Sequence, residues 1–231
     1  MAFEVYKPEW SAGRSIQGVL FDMDGLVLDT EKLYSRFWME ACQFYGFPMT
    51  YAQSLGMRAM GGPAGEAVLH RYFGPEADYV QIRNKRIELM EVYVDENGVD
   101  LKPGIRELLD YLDARGIPAA ITSSSPIPRI RKYLGQHGLD VRFRALCSGR
   151  DVPHSKPEPD IFISGAAALG LDPRNCLALE DSPSGILSSF RAGCLNVMIP
   201  DLDQPDGETL SRLYAKADSL ADVISLLEAM Q

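Results

Sequence analysis

From Ala119 onward the chain alternates short apolar runs with helical patterns. The order is strand Ala119 to Thr122, helix Pro128 to His137, strand Ala145 to Ser148, helix Asp160 to Leu169, strand Cys176 to Leu179, helix Pro183 to Ala192 and strand Asn196 to Ile199. Strands separated by helical segments imply right-handed crossovers, and hence a parallel sheet with helices packed on its faces. An earlier run, Gly18-Val19-Leu20-Phe21, reads as a further buried strand, and a final helix over Leu220 to Met230 takes Ser219 as its N-cap. The expected fold class is α/β, with a doubly wound, Rossmann-like parallel sheet as the core.

Between the first strand and that alternation the pattern changes. Helical periodicity runs over Lys32 to Tyr45, Ala64 to Phe73 and Ala77 to Val94, broken at Gly61-Gly62-Pro63, with no convincing strand. The expected organisation is an α/β core formed by residues 1–31 and 99–231, split by an all-helical cap over residues 32–98. An insertion of this kind that returns beside a site would act as a lid.

Composition narrows the partners. The 231 residues carry a net charge of −9, which argues against a surface that tracks nucleic acid or anionic membrane, since either needs a basic face. No apolar stretch approaches membrane-spanning length, and Met1-Ala2-Phe3-Glu4-Val5-Tyr6-Lys7 lacks the charged-then-apolar order of a signal peptide. Cys42, Cys147, Cys176 and Cys194 show no metal-ligand spacing and read as small hydrophobes with reduced thiols. The reading is a soluble, cytoplasmic protein.

The first strand ends in Phe21-Asp22-Met23-Asp24-Gly25. Alternation along an extended backbone sends Asp22 and Asp24 the same way and turns Met23 into apolar packing. Two carboxylates sharing one small space call for a cation, a shared proton or both, whereas a solvated turn is the plainer alternative. In a parallel sheet the loops after the strands converge on one rim, so three more segments bear on the same place. Ser123-Ser124-Ser125-Pro126 offers a hydroxyl and backbone N–H groups for a phosphate, or an ordinary helix cap. Ser155-Lys156-Pro157-Glu158-Pro159 holds an ammonium between prolines. Glu180-Asp181-Ser182-Pro183-Ser184-Gly185 places two carboxylates before a helix, fit for Mg²⁺ or for a cap.

In order and approximate spacing, Phe21 to Glu31, Ser123, Ser155 to Phe162 and Glu180 to Ile186 resemble the four motifs of the haloacid dehalogenase-like hydrolase superfamily. The likeness is to the branch with a helical cap that includes β-phosphoglucomutase and many sugar-phosphate and nucleotide phosphatases. The resemblance implies that Asp22 attacks phosphorus and becomes an aspartyl-phosphate, while Asp24 is general acid and then general base. It assigns Ser123, Ser124 and Lys156 to the phosphoryl oxygens. Mg²⁺ would be held by Asp22, Asp181, the Asp24 backbone carbonyl and Glu180, the last directly or through water.

The second aspartate separates phosphoryl transfer from dehalogenation, because dehalogenases of this fold lack it. The mutase branch carries a histidine where this chain has Tyr34 and an arginine near Ala59, where the nearest is Arg58. The expected activity is therefore a Mg²⁺-dependent phosphatase acting on a small phosphorylated metabolite, with a phosphomutase as the alternative and a non-enzymatic phosphoacceptor module ranked below both. Tyr34, Arg58 and Lys85 are candidate substrate contacts from the cap, and Met23, Met57 and Met60 read as core filling. A monomer is expected, with a dimer as the alternative.

Overall fold

The computed structural model describes residues 3–58 and 62–230; Ala59, Met60 and Gly61, on which some of the expectations fall, lie outside the described residues. The chain divides into two compact units, one made of residues 1–28 and 101–231 and the other of residues 29–100.

The first unit holds a seven-stranded sheet. Its strands are β1 (Phe3–Val5), β2 (Gly18–Phe21), β3 (Ala119–Ser123), β4 (Ala145–Ser148), β5 (Cys176–Glu180), β6 (Leu195–Met198) and β7 (Ala215–Ala217), in the spatial order β1-β7-β6-β5-β2-β3-β4. All pairings are parallel except β1 with β7, which run antiparallel with Phe3 opposite Ala217. The α/β expectation holds, and an antiparallel edge strand is added to it. From β2 the connections run outward to β3 and β4 on one side, then return through β5 to β6 and β7 on the other. The order reverses between β2 and β5, and open α/β sheets bind ligands at the carboxyl ends beside such a switch point.

Every residue of β2 and β5 is buried, in keeping with strands covered on both faces. The helix Asp160–Leu169 packs close to this sheet because Gly165 has no side chain; a Cβ there would collide with the Thr122 methyl. Leu20, Ala120, Ala178, Phe162 and Ala166 form the core between them, with small alanines on the sheet meeting bulkier residues on the helix. All four cysteines are free thiols, three of them buried.

The second unit consists of helices Glu31–Phe44, Tyr51–Leu55, Gly62–Phe73 and Tyr79–Asn97, with no strand among the described residues. Its core gathers Trp38, Ala41, Cys42, Met57, Leu69 and Ile82. The chain leaves and re-enters the sheet unit at one place, where Leu28 bridges Leu101 antiparallel and Lys102 N–H donates to the Val27 carbonyl.

Local boundaries depart from expectation in a few places. Ser123 is the last residue of β3, and β6 begins at Leu195 rather than Asn196. The final helix starts at Asp222, and Ser219 does not cap it; its hydroxyl donates to the Asp222 side chain instead. Two three-residue strands, β1 and β7, and the short helices Tyr51–Leu55 and Gly207–Ser211 were not expected.

Candidate active site

The side chains of interest cluster at the carboxyl ends of β2, β3 and β5. Asp22 follows β2 directly, and its N–H donates to the Leu179 carbonyl of β5, which extends the strand pairing up to the rim. Its side chain is 10 % exposed. Met23 is fully buried. A tight turn follows, in which Val27 and Leu28 N–H both donate to the Met23 carbonyl and Gly25 adopts φ 85°. The turn folds Asp24 back beside the strand that delivered Asp22.

Lys156 joins two strand ends. Its Nζ lies 2.5 Å from Asp22 Oδ1 and 2.5 Å from Glu180 Oε1, with the side chain 8 % exposed. The ammonium also sits 5.1 Å from the Phe162 ring centroid. The loop that carries it is anchored from the helix Pro183–Ala192: Ser188 Oγ donates to the Glu158 carbonyl at 2.6 Å, and Arg191 reaches the Pro157 carbonyl at 3.2 Å.

Glu180 ends β5 with no exposed surface. Its Oε2 accepts from Ser182 Oγ at 3.0 Å and from the N–H groups of Asp181 and Ser182 at 3.2 and 3.3 Å. Both oxygens are thus engaged by Lys156 and by the turn that follows. Glu180 thereby braces both the loop and the lysine. Ser182 does act as a helix cap, accepting from Gly185 N–H. Gly185 itself leaves room for Glu180, since a Cβ there would fall inside the Glu180 carboxylate. Asp181 is half-buried beside this turn.

On the β3 side the structure redistributes the serines. Ser123 is fully buried, and its Oγ is 3.5 Å from Asp24 Oδ2, at the outer limit of hydrogen bonding. Ser124, expected at the phosphate, is exposed. Ser125, which the sequence reading passed over, donates from Oγ to Asp24 Oδ2 at 3.0 Å. None of the three caps the following helix, whose N-cap is Pro126.

Burial dominates the electrostatics. It pushes Asp22 up to about 7; Lys156 opposes this, while Glu180 and Asp24 add to it. For Lys156 burial acts downward, yet the two neighbouring carboxylates outweigh it and hold the ammonium above its usual range. Two carboxylates therefore share one ammonium while the Asp24 charge also acts on Asp22, an excess of negative charge on hard oxygen donors that suits Mg²⁺. Among the described residues no group of three or more His, Cys, Asp or Glu side chains is spaced to hold a metal by itself. The residues that the motifs name for a metal are Asp22, Asp181 and Glu180, with the Asp24 carbonyl.

The cap candidates lie in the helical unit. Tyr34 is half-buried with the Arg86 guanidinium 4.9 Å from its ring, Arg58 Nε donates to the Leu55 carbonyl at 3.2 Å, and Lys85 pairs with Glu88 at 2.8 Å. No described helix is long and apolar enough to cross a membrane.

The comparisons agree with this geometry. Residues 19–199 match the family model of the haloacid dehalogenase-like hydrolases, as the four motifs implied. The chain is 30 % identical over 223 residues to hexitol phosphatase B of Escherichia coli K12, covering 92 % of this chain and 96 % of that one. It is 29 % identical over 215 residues to the phosphorylated carbohydrates phosphatase of Thermotoga maritima, covering 93 % and 91 %. The solved β-phosphoglucomutase of Clostridium difficile superposes with a TM-score of 0.75 at 21 % identity, over 93 % of this chain and 96 % of that one, a likeness of fold alone. With an aspartate pair at the switch point, a buried lysine between strand ends and a family match over residues 19–199, the chain belongs to the haloacid dehalogenase-like hydrolases, as an enzyme of their phosphatase kind.

Proposed function

We propose that the protein is a Mg²⁺-dependent phosphatase that hydrolyses a small phosphate monoester, a phosphosugar or similar metabolite, through an aspartyl-phosphate on Asp22. The observation that carries this reading is the buried Asp22 carboxylate, held by Lys156 on one side of the rim while Asp24 is held by serine hydroxyls on the other. The two carboxylates have different partners and so can take different roles.

In the first step an Asp22 carboxylate oxygen attacks phosphorus in line with the ester oxygen. The P–O bond to the alcohol breaks, and the proton of the Asp24 carboxyl passes to the departing oxygen. In the second step Asp24 takes a proton from water, whose oxygen attacks phosphorus; the bond from phosphorus to Asp22 breaks and phosphate leaves. Lys156 and the Ser123 region neutralise charge on the equatorial oxygens, the main electrostatic demand of phosphoryl transfer. Bound by Asp22, Asp181 and the Asp24 carbonyl, Mg²⁺ would supply further positive charge at the phosphoryl group. The substrate class rests on the two relatives above, and within the chain we assign its choice to the helical unit, with Tyr34 and Arg58 as contacts.

Phosphate release from a panel of sugar and polyol phosphates, with and without Mg²⁺, tests the reading. Asp22→Asn is expected to abolish turnover, and near wild-type activity in that variant would overturn the mechanism. A hexose 1-phosphate converted to its 6-phosphate faster than to free phosphate would instead identify a mutase.

A further inference from the structure

A carboxyl group turns readily about its last side-chain bond, since that torsion is broad and roughly two-fold. An acid that must deliver a proton to one particular oxygen therefore needs something to stop that turn. Asp24 is only half-buried, and packing alone does not supply the stop.

Ser125 does. Its Oγ–H donates to Asp24 Oδ2 at 3.0 Å. Ser125 is in turn fixed at both ends of its own backbone: its N–H donates to Ser123 Oγ at 3.0 Å, and its carbonyl accepts from Ser148 Oγ at 2.9 Å. The residue is 6 % exposed and Ser148 2 % exposed, so solvent does not compete for these bonds. Because Ser123 Oγ accepts from the Ser125 amide, its own hydrogen is directed outward, and Asp24 Oδ2 lies 3.5 Å away. Oδ2 thus accepts from the serine side, which fixes the plane of the carboxyl group. Ser148, at the end of β4, ties the arrangement to a strand that holds no reacting group.

We propose that Ser125 is a positioning residue that aims the Asp24 carboxyl, holding it through Oδ2 against rotation so that its proton is delivered to the leaving alcohol. The proposal rests on the reading of Asp24 as general acid. Proton delivery matters most when the departing oxygen is a strong base, so the expected signature is selective for the leaving group.

The test compares kcat/KM, which covers steps through loss of the alcohol, for an alkyl phosphate such as glycerol phosphate and for 4-nitrophenyl phosphate, whose phenolate leaves unaided. Ser125→Ala is expected to lose about tenfold on the alkyl ester and less than about twofold on the aryl ester, the aryl rate serving also as the check on folding. Ser148→Ala should show a weaker selectivity in the same direction. Equal loss on both esters, or none on the alkyl ester, overturns the proposal. Asp24→Asn measured in parallel separates the two readings. If it shows the selectivity and Ser125→Ala does not, the positioning role alone fails; if Asp24→Asn treats both esters alike, the general-acid reading fails and the positioning role with it.

Discussion

Lys156 Nζ and Asp22 Oδ1 lie 2.5 Å apart in a site from which both side chains are almost wholly withdrawn from water. The same ammonium serves Glu180, so its loss strands two buried carboxylates at once. Lys156→Met is expected to lower unfolding free energy by about 3–5 kcal/mol and Asp22→Asn by less, because Asn leaves the lysine paired with Glu180. Urea unfolding of the two variants decides it; an equal loss in both would refute the shared-ammonium account.

The raised Asp22 pKa has a sign that can be checked in the metal-free protein. In the fold this carboxyl holds its proton up to about 7, against an ordinary value of 3.8. Between those values the native state binds more protons than the unfolded chain, so this group's contribution to stability falls as pH rises through the window. With a chelator present, the Tm of wild type is expected to drop from pH 4 to pH 7 more steeply than that of Asp22→Asn. Added Mg²⁺ should recover most at the upper end, where the ligand is ionised. Parallel Tm profiles for the two proteins would contradict this.

Gly185 faces the Glu180 carboxylate so closely that no side chain fits. Gly185→Ala should move Glu180 off Lys156, costing about 1–3 kcal/mol of stability and about tenfold or more in kcat. Gly207, also helical but with open space around its Cβ position, provides the control: Gly207→Ala should be neutral or slightly stabilising.

Ser188 is buried and holds the Glu158 carbonyl, two residues beyond Lys156. Ser188→Ala is expected to cost about 1 kcal/mol and to raise the inhibition constant for inorganic phosphate, as the lysine loop loosens. Arg191→Ala removes an exposed contact to the same loop and should change the inhibition constant far less. Competitive inhibition assays compare them directly.

Much of this site was legible in the sequence because strand alternation is a rigid rule. Asp22 and Met23 are buried where the strand ends, and the Asp24 charge acts on Asp22, as the pairing of the two carboxylates implied. Ser125 was not legible, since three consecutive serines carry no pattern to separate them, and the partner that singles one out lies across the fold. The partners of Glu180 were hidden for a related reason: spacing puts a carboxylate at the rim but does not show that Ser182 and Lys156 engage it. Strands β1 and β7, at three residues each, are too short to show periodicity and exist through their pairing at the sheet edge.

Leu28 bridges Leu101, and just beyond them Asp29 N–H donates to the Asp100 carbonyl. Exit and re-entry are therefore neighbours, and from the sheet's side the whole helical unit has the connectivity of a hairpin loop. A short turn could close the same gap. The sheet unit and the helical segment are thus separable modules to an engineer or to evolution, and if the helical unit chooses the substrate as proposed, exchanging it would retarget the enzyme without redesigning its chemistry.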